Sequence, residues 1–584
     1  MYVFVLVLVA MSSVAVAELD FLLLHTNDMH ARFQQTDKYS GICGNMNSGL
    51  CYGGFARLHA EAVRRKQEAD NKGLPTIFLN AGDSYQGTPF YTFYKWRIVA
   101  KFVNMLGMDV MSLGNHEFDD GIPGLVPYIK AVSTPIVCSN LNISQVPELK
   151  LPKLTPSVVL TVNGTKIGVI GYLTPETKYL ATLQNLEFLD EIPSIRLEAQ
   201  RLRSQGVNIL IALGHSGYPK DMEIAREVED IDIVVGGHTH TFLYNGTPPD
   251  IEEPKGPYPT VVTQPSGKQV PVVQAYFATK YLGYLELHFD SNGNLKSFDG
   301  APILLSGNMP EDTEILKTLE PYVQNMSATT HQIMGYTSVL LDNDNTKCKL
   351  AECNIGNLIT DSYVDYATRH YPTSKGWTPA AIGVTQAGGI RASINTKTNS
   401  NHNGSIPLED IMTVIPWGDK VLILNMTGSV LLEALEHSVA RYEDTITGHV
   451  SEFLQVSGIR VVYDMGRPSG HRVVTVSLLC ADCSVPVYKP LELDMYYGVV
   501  VPDFLALGGD NFLISRNVTN TTMFDDVDYM VFANYIEAHS PVYPAVEGRI
   551  TIINPTSSRS GASFMSLSTY WIILATVPTM AYLL

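Results

Sequence analysis

Short apolar runs recur through the first half of the chain, and most are followed at once by a glycine or a polar cluster. Residues 21–24 lead into His25-Thr-Asn-Asp28-Met-His30, and residues 76–79 into Asn80-Ala-Gly-Asp83. Residues 110–113 meet Gly114-Asn115-His116-Glu117-Phe-Asp119. Residues 207–212 reach Leu213-Gly-His215-Ser, and residues 231–235 reach Gly236-Gly-His238-Thr-His240. A further run covers residues 166–170. The runs are continuous rather than alternating, which predicts strands buried on both faces. Between them, residues 55–68, 96–106, 194–203 and 222–228 predict helices. This alternation predicts an α/β domain, a sheet covered on both faces by helices, with its chemistry in loops at the carboxyl edge.

The polar groups after the strands are Asp28, His30, Asp83, Asn115, His116, His215, His238 and His240. Any one histidine alone reads as a hydrogen-bonded core residue. Their recurrence at five strand ends changes that reading. Carboxylate, amide and imidazole donors of this kind suit a pair of Zn, Mn or Fe ions, and a short carboxylate such as Asp83 serves as a bridge. Asp119, three residues beyond His116, is placed to hold that imidazole in one tautomer.

From about residue 256 the pattern becomes rich in strands and turns. Residues 310 to about 323 predict one helix, with Pro310 at its start and acids in the first turn; it reads as a connector between two large domains. In the second half, residues 354–367 and 430–440 predict helices. Residues 380–385 predict a strand ending in Gln386-Ala-Gly388-Gly389-Ile-Arg391. The glycines allow close backbone approach, and Arg391 offers a planar fork for phosphate or carboxylate. Trp417, between Pro416 and Gly418, and Phe504, in a predicted loop over 501–512, are aromatics able to sandwich a flat ring. Asp510 is suited to accept hydrogen bonds from ribose hydroxyls. Taken alone, such aromatics more often pack a core.

At 584 residues with 45% hydrophobic and 17% charged, the chain has ample material for buried cores. The net charge of −18 argues against nucleic acid as partner, because a phosphate backbone needs a basic surface; small phosphorylated substrates are not excluded. Residues 3–10 are apolar and Ala15-Val16-Ala17 is a small-x-small pattern, which predicts a signal peptide over 1–17 and a mature chain from near Glu18. Residues 564–584 are mostly apolar and follow Ser560-Gly561-Ala562 and a polar spacer. That layout predicts a GPI-attachment signal removed at about Ser560, with Ser557 and Ser558 as neighbouring alternatives and a simple tail anchor as the other reading. Sequons at Asn142, Asn163, Asn245, Asn325, Asn403, Asn425, Asn517 and Asn520 agree with secretion. In an oxidising compartment the pairs Cys43/Cys51, Cys348/Cys353 and Cys480/Cys483 predict disulfides, leaving Cys138 as a buried thiol.

The motifs His25–His30, Ala81-Gly-Asp83, Gly114–Asp119, Gly214-His215 and Gly236–His240 resemble the metallophosphoesterase signature of the 5'-nucleotidase family. Gly388–Arg391, residues 453–458, Asp503-Phe504 and Gly508-Gly-Asp510 are similar to that family's nucleotide-binding domain. The likeness spans nearly the whole mature chain and is strongest to the animal ecto-5'-nucleotidase branch; arthropod apyrases of the same family are similar. It implies an N-terminal metallophosphoesterase β-sandwich flanked by helices over 18–309, a linker helix over 310–333, a C-terminal α+β nucleotide-binding domain over 334–553, and a removed tail over 554–584. It implies two divalent ions, expected to be zinc. One would be held by Asp28, His30, Asp83 and His240, the other by Asp83, Asn115, His215 and His238. It further implies His116 and Asp119 as a catalytic dyad, Arg391 on phosphate, Trp417 and Phe504 stacking the base, Asp510 on ribose, and a rotating C-terminal domain.

The activity implied is extracellular hydrolysis of AMP to adenosine and phosphate by a two-metal-activated water. The partners implied are a nucleotide, the plasma membrane through a GPI lipid, and a second copy of the chain in a homodimer; a shed or secreted form is the other expected state. Departures from the family pattern are Gln386-Ala387 for Asn-Gly, Lys349 where an arginine is expected, Trp417 with Phe504 in place of two phenylalanines, and no cysteine pair near Thr360 and Gly383. Lys349 and Gln386 keep an apyrase reading, cleavage of ATP and ADP to AMP, in view. A non-enzymatic surface binding protein on the same scaffold is the third reading.

Overall fold

The computed structural model describes residues 18–554 apart from 45–48, 181–185, 344–346, 396–403, 443–450 and 517. The signal segment, the tail with Ser557, Ser558 and Ser560, and the sequons at Asn403 and Asn517 lie outside the described residues. Asn163, Asn245, Asn325 and Asn520 are exposed, whereas Asn142 and Asn425 are half-buried. Among the described residues no helix is long and apolar enough to cross a membrane.

Strand Leu19–Thr26 pairs parallel with Thr76–Asn80 and antiparallel with Tyr281–Phe289. The sheet continues in parallel through Val110–Ser112 and Ile136–Val137. A second sheet has Thr165–Leu173, Ile209–His215 and Ile233–Val235 in parallel at its centre. The two sheets face each other. Phe21, Leu23, Leu79 and Val110 of the first share one core with Val169, Ile211 and Ile233 of the second. Side chains of a strand alternate between faces. Leu22, Leu24, Phe78 and Met111 therefore point the other way, into a core shared with helices Phe55–Asn71 and Trp96–Leu106. Helices Glu191–Ser204 and Tyr218–Glu227 contribute Ile195, Leu202 and Ile224 to the packing of the second sheet. The sandwich flanked by helices that the family resemblance implies is what the chain forms, whereas the apolar pattern alone, read as one sheet between two helical layers, does not reach it. A continuous apolar run demands two buried faces but does not say whether a helix or a sheet covers them.

The sheets touch at Gly171. A Cβ there would lie 2.1 Å from the Val137 carbonyl carbon. The Gly171 carbonyl accepts from the Ser139 backbone N–H at 2.8 Å and from its hydroxyl at 2.6 Å.

The predicted connector forms a helix over Thr313–Thr330, and Asp312 rather than Pro310 caps it, accepting from the N–H groups of Glu314 and Ile315. It is no free-standing link. Ile315, Leu319 and Met326 pack into the helical core of the first sheet, and His59 Nδ1 lies 2.8 Å from Asp312 Oδ2. Beyond it, a five-stranded sheet built from Leu454–Ser457, Ile382–Gln386, Tyr496–Pro502, Lys420–Thr427 and Thr521–Val527 packs with helices Asn354–His370, Gly428–Ser438 and Asp528–His539 in one core. The predicted loop at 501–512 is instead the end of a strand followed by a short helix, Asp503–Ala506, which carries Phe504. Disulfides join Cys43–Cys51, Cys348–Cys353 and Cys480–Cys483, and Cys138 is a buried free thiol.

Gly171→Val should destabilise the protein by roughly 2 kcal/mol or more, since added core volume against rigid backbone has no space to relax into. A denaturant titration checks this, and an unchanged midpoint would refute the close sheet contact.

Candidate metal centre

The strand-end groups converge at the carboxyl edge of the two sheets. Asp28 Oδ1 lies 3.3 Å from His240 Nε2, 3.6 Å from His215 Nε2 and 3.8 Å from His30 Nε2. Asp83 Oδ2 lies 2.8 Å from His215 Nε2, 3.9 Å from His116 Nε2 and 4.0 Å from His30 Nε2. His238 Nδ1 is 2.9 Å from Asn115 Oδ1. Three overlapping sets result: Asp28/His30/His240, His30/Asp83/His116 and Asp83/His215/His238. Within each set the ligand atoms lie within 4.8 Å of one another. The structure thus brings together all seven expected ligands, and places His116 beside them.

Five of those seven have a left-handed backbone: Asp28 (φ 49°), His30 (47°), Asp83 (54°), His238 (76°) and His240 (49°). Non-glycine residues rarely adopt such angles, and surrounding structure must hold them there. Nothing in the sequence marked this, because none of the five is glycine. The neighbours that permit it are glycines. A Cβ on Gly114 would stand 2.1 Å from Asp83 Oδ1, and one on Gly237 would stand 2.8 Å from His215 Nδ1.

Backbone carbonyls orient the imidazoles. His30 Nδ1 donates to Tyr85 O at 3.1 Å and His215 Nδ1 to Ala81 O at 2.6 Å, which turns each Nε2 lone pair inward. His30 Nε2 and His240 Nε2 are then only 3.0 Å apart. Such a collection of lone pairs and carboxylate oxygens repels itself unless positive charge stands among them. For His215, burial alone would lower the pKa, but Asp83 and Asp28 prevail and raise it to about 10. The oxygen and imidazole donors fit divalent transition ions.

Glu117, noted in the sequence but given no role, stitches the centre together. One carboxylate oxygen accepts from the N–H groups of Gly114 (2.6 Å) and Asp83 (3.0 Å), the other from Ser84 (2.7 Å) and Tyr85 (3.3 Å). Burial, then the charge of Asp83, raises its pKa to about 7 against those hydrogen bonds. Asp221 was missed altogether. It accepts from Tyr172 and from Gln274, each at 2.7 Å, and Gln274 also donates to Gly237 O, fixing the loop that carries His238 and His240.

His116 Nδ1 lies 2.9 Å from Asp119 Oδ2, and the His116 backbone N–H donates to Asp83 Oδ1 at 2.9 Å. Burial disfavours the imidazolium, but Asp119 and Asp83 outweigh it and raise the pKa. The facing wall comes from the second half of the chain. A cavity of about 900 Å³ is lined by Asp83, Asn115, His116, His238 and His240 on one side and by Lys349, Gln386, Arg391, Trp417, Phe504 and Asp510 on the other. Arg391 Nη2 donates to His30 Nε2 at 2.9 Å. Burial, then the charge of Arg391, lowers the Lys349 pKa to about 7. Asp510 accepts from Ser451 Oγ at 3.2 Å, and burial, then Glu452, raises its pKa to about 7. Arg441, also missed, pairs with Glu452 at 2.7 Å and reaches across to Glu176 of the first half at 2.8 Å.

Residues 21–242 match the family model described as calcineurin-like phosphoesterase, and residues 331–515 match that of the 5'-nucleotidase C-terminal domain. Over 541 residues the chain is 43% identical to "Protein 5NUC" of Lutzomyia longipalpis, covering 91% of this chain and 93% of that protein. It is 42% identical over 555 residues to the 5'-nucleotidase of Mus musculus, covering 94% of each. Among solved structures, the 5'-nucleotidase precursor from Thermus thermophilus aligns with a TM-score of 0.82 at 34% identity, covering 92% of this chain and 99% of that one.

Glu117→Gln keeps the shape but must set an amide NH₂ against backbone N–H groups on one side. It should weaken metal retention by about ten- to a hundredfold, the usual cost of losing a group that orients the ligands. Metal content after graded chelator dialysis measures this, and wild-type retention would deny Glu117 that role.

Proposed function

The chain belongs to the 5'-nucleotidase family of metal-dependent phosphoesterases, and on that premise we propose that it hydrolyses nucleoside 5'-monophosphates outside the cell, AMP foremost. One observation carries the reading: the metal-ligand cluster, His116 and the Arg391 fork open into one cavity that Trp417 and Phe504 also line. A cavity of this size is in the range that takes a nucleotide. The domains are proposed at 18–309 and 334–553 with the helical connector at 310–333.

Phosphate monoesters hydrolyse extremely slowly in water, so strong electrostatic stabilisation is required. We assign one divalent ion to Asp28, His30, Asp83 and His240 and another to Asp83, Asn115, His215 and His238, with zinc as the expected metal. When bound, such ions offset phosphoryl charge and acidify water. The chain's own groups do the rest. Arg391 receives phosphoryl oxygens on its fork. His116, held at Nδ1 by Asp119, presents Nε2 to the cavity, where it stabilises charge on the phosphoryl group or protonates the leaving ribose oxygen. Trp417 and Phe504 flank the base, and Asp510 accepts from the ribose hydroxyls. GPI attachment at about Ser560, glycosylation at the sequons and a homodimer complete the proposal. A second reading, cleavage of ATP and ADP, is favoured by Lys349, a buried amine in the cavity wall where the family pattern has an arginine.

Chelator-sensitive phosphate release from AMP, with little from ADP or ATP, is the expected outcome; fast release from ADP and ATP would move the assignment to apyrase. His116→Ala should cut turnover of AMP by at least about a hundredfold, the lower range for acid–base effects, with metals retained. Near-normal turnover would remove His116 from the mechanism.

A further inference from the structure

We infer that Trp417 is a positioning residue for His116, so that a side chain of the C-terminal domain sets the orientation of the imidazole that acts on the phosphoryl group. The inference rests on the functional reading above. The Trp417 ring lies 5.3 Å from the His116 ring, tilted by 32°, within the range of attractive aromatic pairs. The hydrogen bond from His116 Nδ1 to Asp119 fixes one atom of the imidazole. A single such bond leaves the ring free to swing about the donor–acceptor line. His30 limits that swing on one side, edge-on at 5.3 Å, and Trp417 limits it on another.

Trp417 is itself held firmly. Its Nε1–H donates to Gly389 O at 2.7 Å, and the Arg391 guanidinium stands 5.7 Å from its ring. The preceding residue is tied to the N-terminal domain, with Thr92 Oγ1 donating to Pro416 O at 3.2 Å. The indole is therefore held within its own domain, and the backbone just before it is tied to the other. A residue serving only to clamp a base needs no contact with His116 and no tether to the opposite domain. Docking of the two domains, on this inference, does more than enclose the substrate: it completes the orientation of the reacting imidazole.

The test is a double-mutant cycle on the full metal-loaded protein with AMP as substrate. Trp417→Leu should lower kcat at saturating AMP by about three- to tenfold, the size expected for one lost aromatic contact, and Trp417→Phe should restore most of it. In a His116→Ala background, Trp417→Leu should have no further effect on kcat, because residues acting through one group are not additive. A raised KM with kcat intact would reduce Trp417 to a base clamp and overturn the inference, as would an equal, independent fall in the His116→Ala background. Metal content and thermal midpoint report on folding. If the leucine variant loses either, Trp417→Met takes its place in the same cycle. Failure of the unsubstituted protein to release phosphate from AMP would sink the functional reading, and this inference with it, before any variant is compared.

Discussion

The structure turns on one electrostatic problem: Asp28 and Asp83, both buried, share a small volume with the inward-facing nitrogens of several histidines. Gathering groups that all offer lone pairs is unfavourable without a cation among them, since an isolated buried charge is costly. The surrounding architecture can be read as the means of holding them there. Left-handed backbone at five ligand positions aims the side chains inward. Side-chain-free positions at Gly114 and Gly237 let loops from different strands close on one point. Carbonyls of Ala81 and Tyr85 set the ring orientation of His215 and His30. Removing the central problem would leave most of these local choices without a purpose.

The sandwich explains how candidate ligands far apart in sequence meet. Parallel strands bring their carboxyl ends to one edge, and two sheets packed face to face bring two such edges together. Asp28, Asp83 and Asn115 follow strands of one sheet, whereas His215 ends and His238 follows strands of the other. The contact at Gly171 matters for this reason: it sets the sheet separation one strand away from His215.

Much of this arrangement was legible in the sequence because each candidate ligand follows an apolar run within a few residues. The helix over residues 96–106 was read with the bounds it has. The helix expected at 222–228 begins instead at Tyr218, with Pro219 in its first turn, where a proline costs nothing. The helix after residue 310 runs on to Thr330, because Met326 finds a place in the N-terminal core; that gain depends on tertiary packing and has no local signal. The supporting shell was illegible for a similar reason. Asp221, Tyr172 and Gln274 are about fifty residues apart in sequence, and none sits in a motif. Glu117 sits in plain view between candidate ligands, yet only the folded backbone sets its carboxylate against four backbone N–H groups.

The disulfides carry one last consequence. They span eight, five and three residues, and together they use every cysteine except Cys138. Each closes a short local loop, so its stabilisation, roughly 2 kcal/mol in the chain-entropy model, braces only its own segment. No covalent bridge joins the two halves beyond the single polypeptide strand. The cavity walls are held in register by weak forces alone, such as the Arg441–Glu176 ion pair and the Thr92–Pro416 hydrogen bond. Thermal agitation can break and remake these, so opening of the cleft needs no cleavage of a covalent bond.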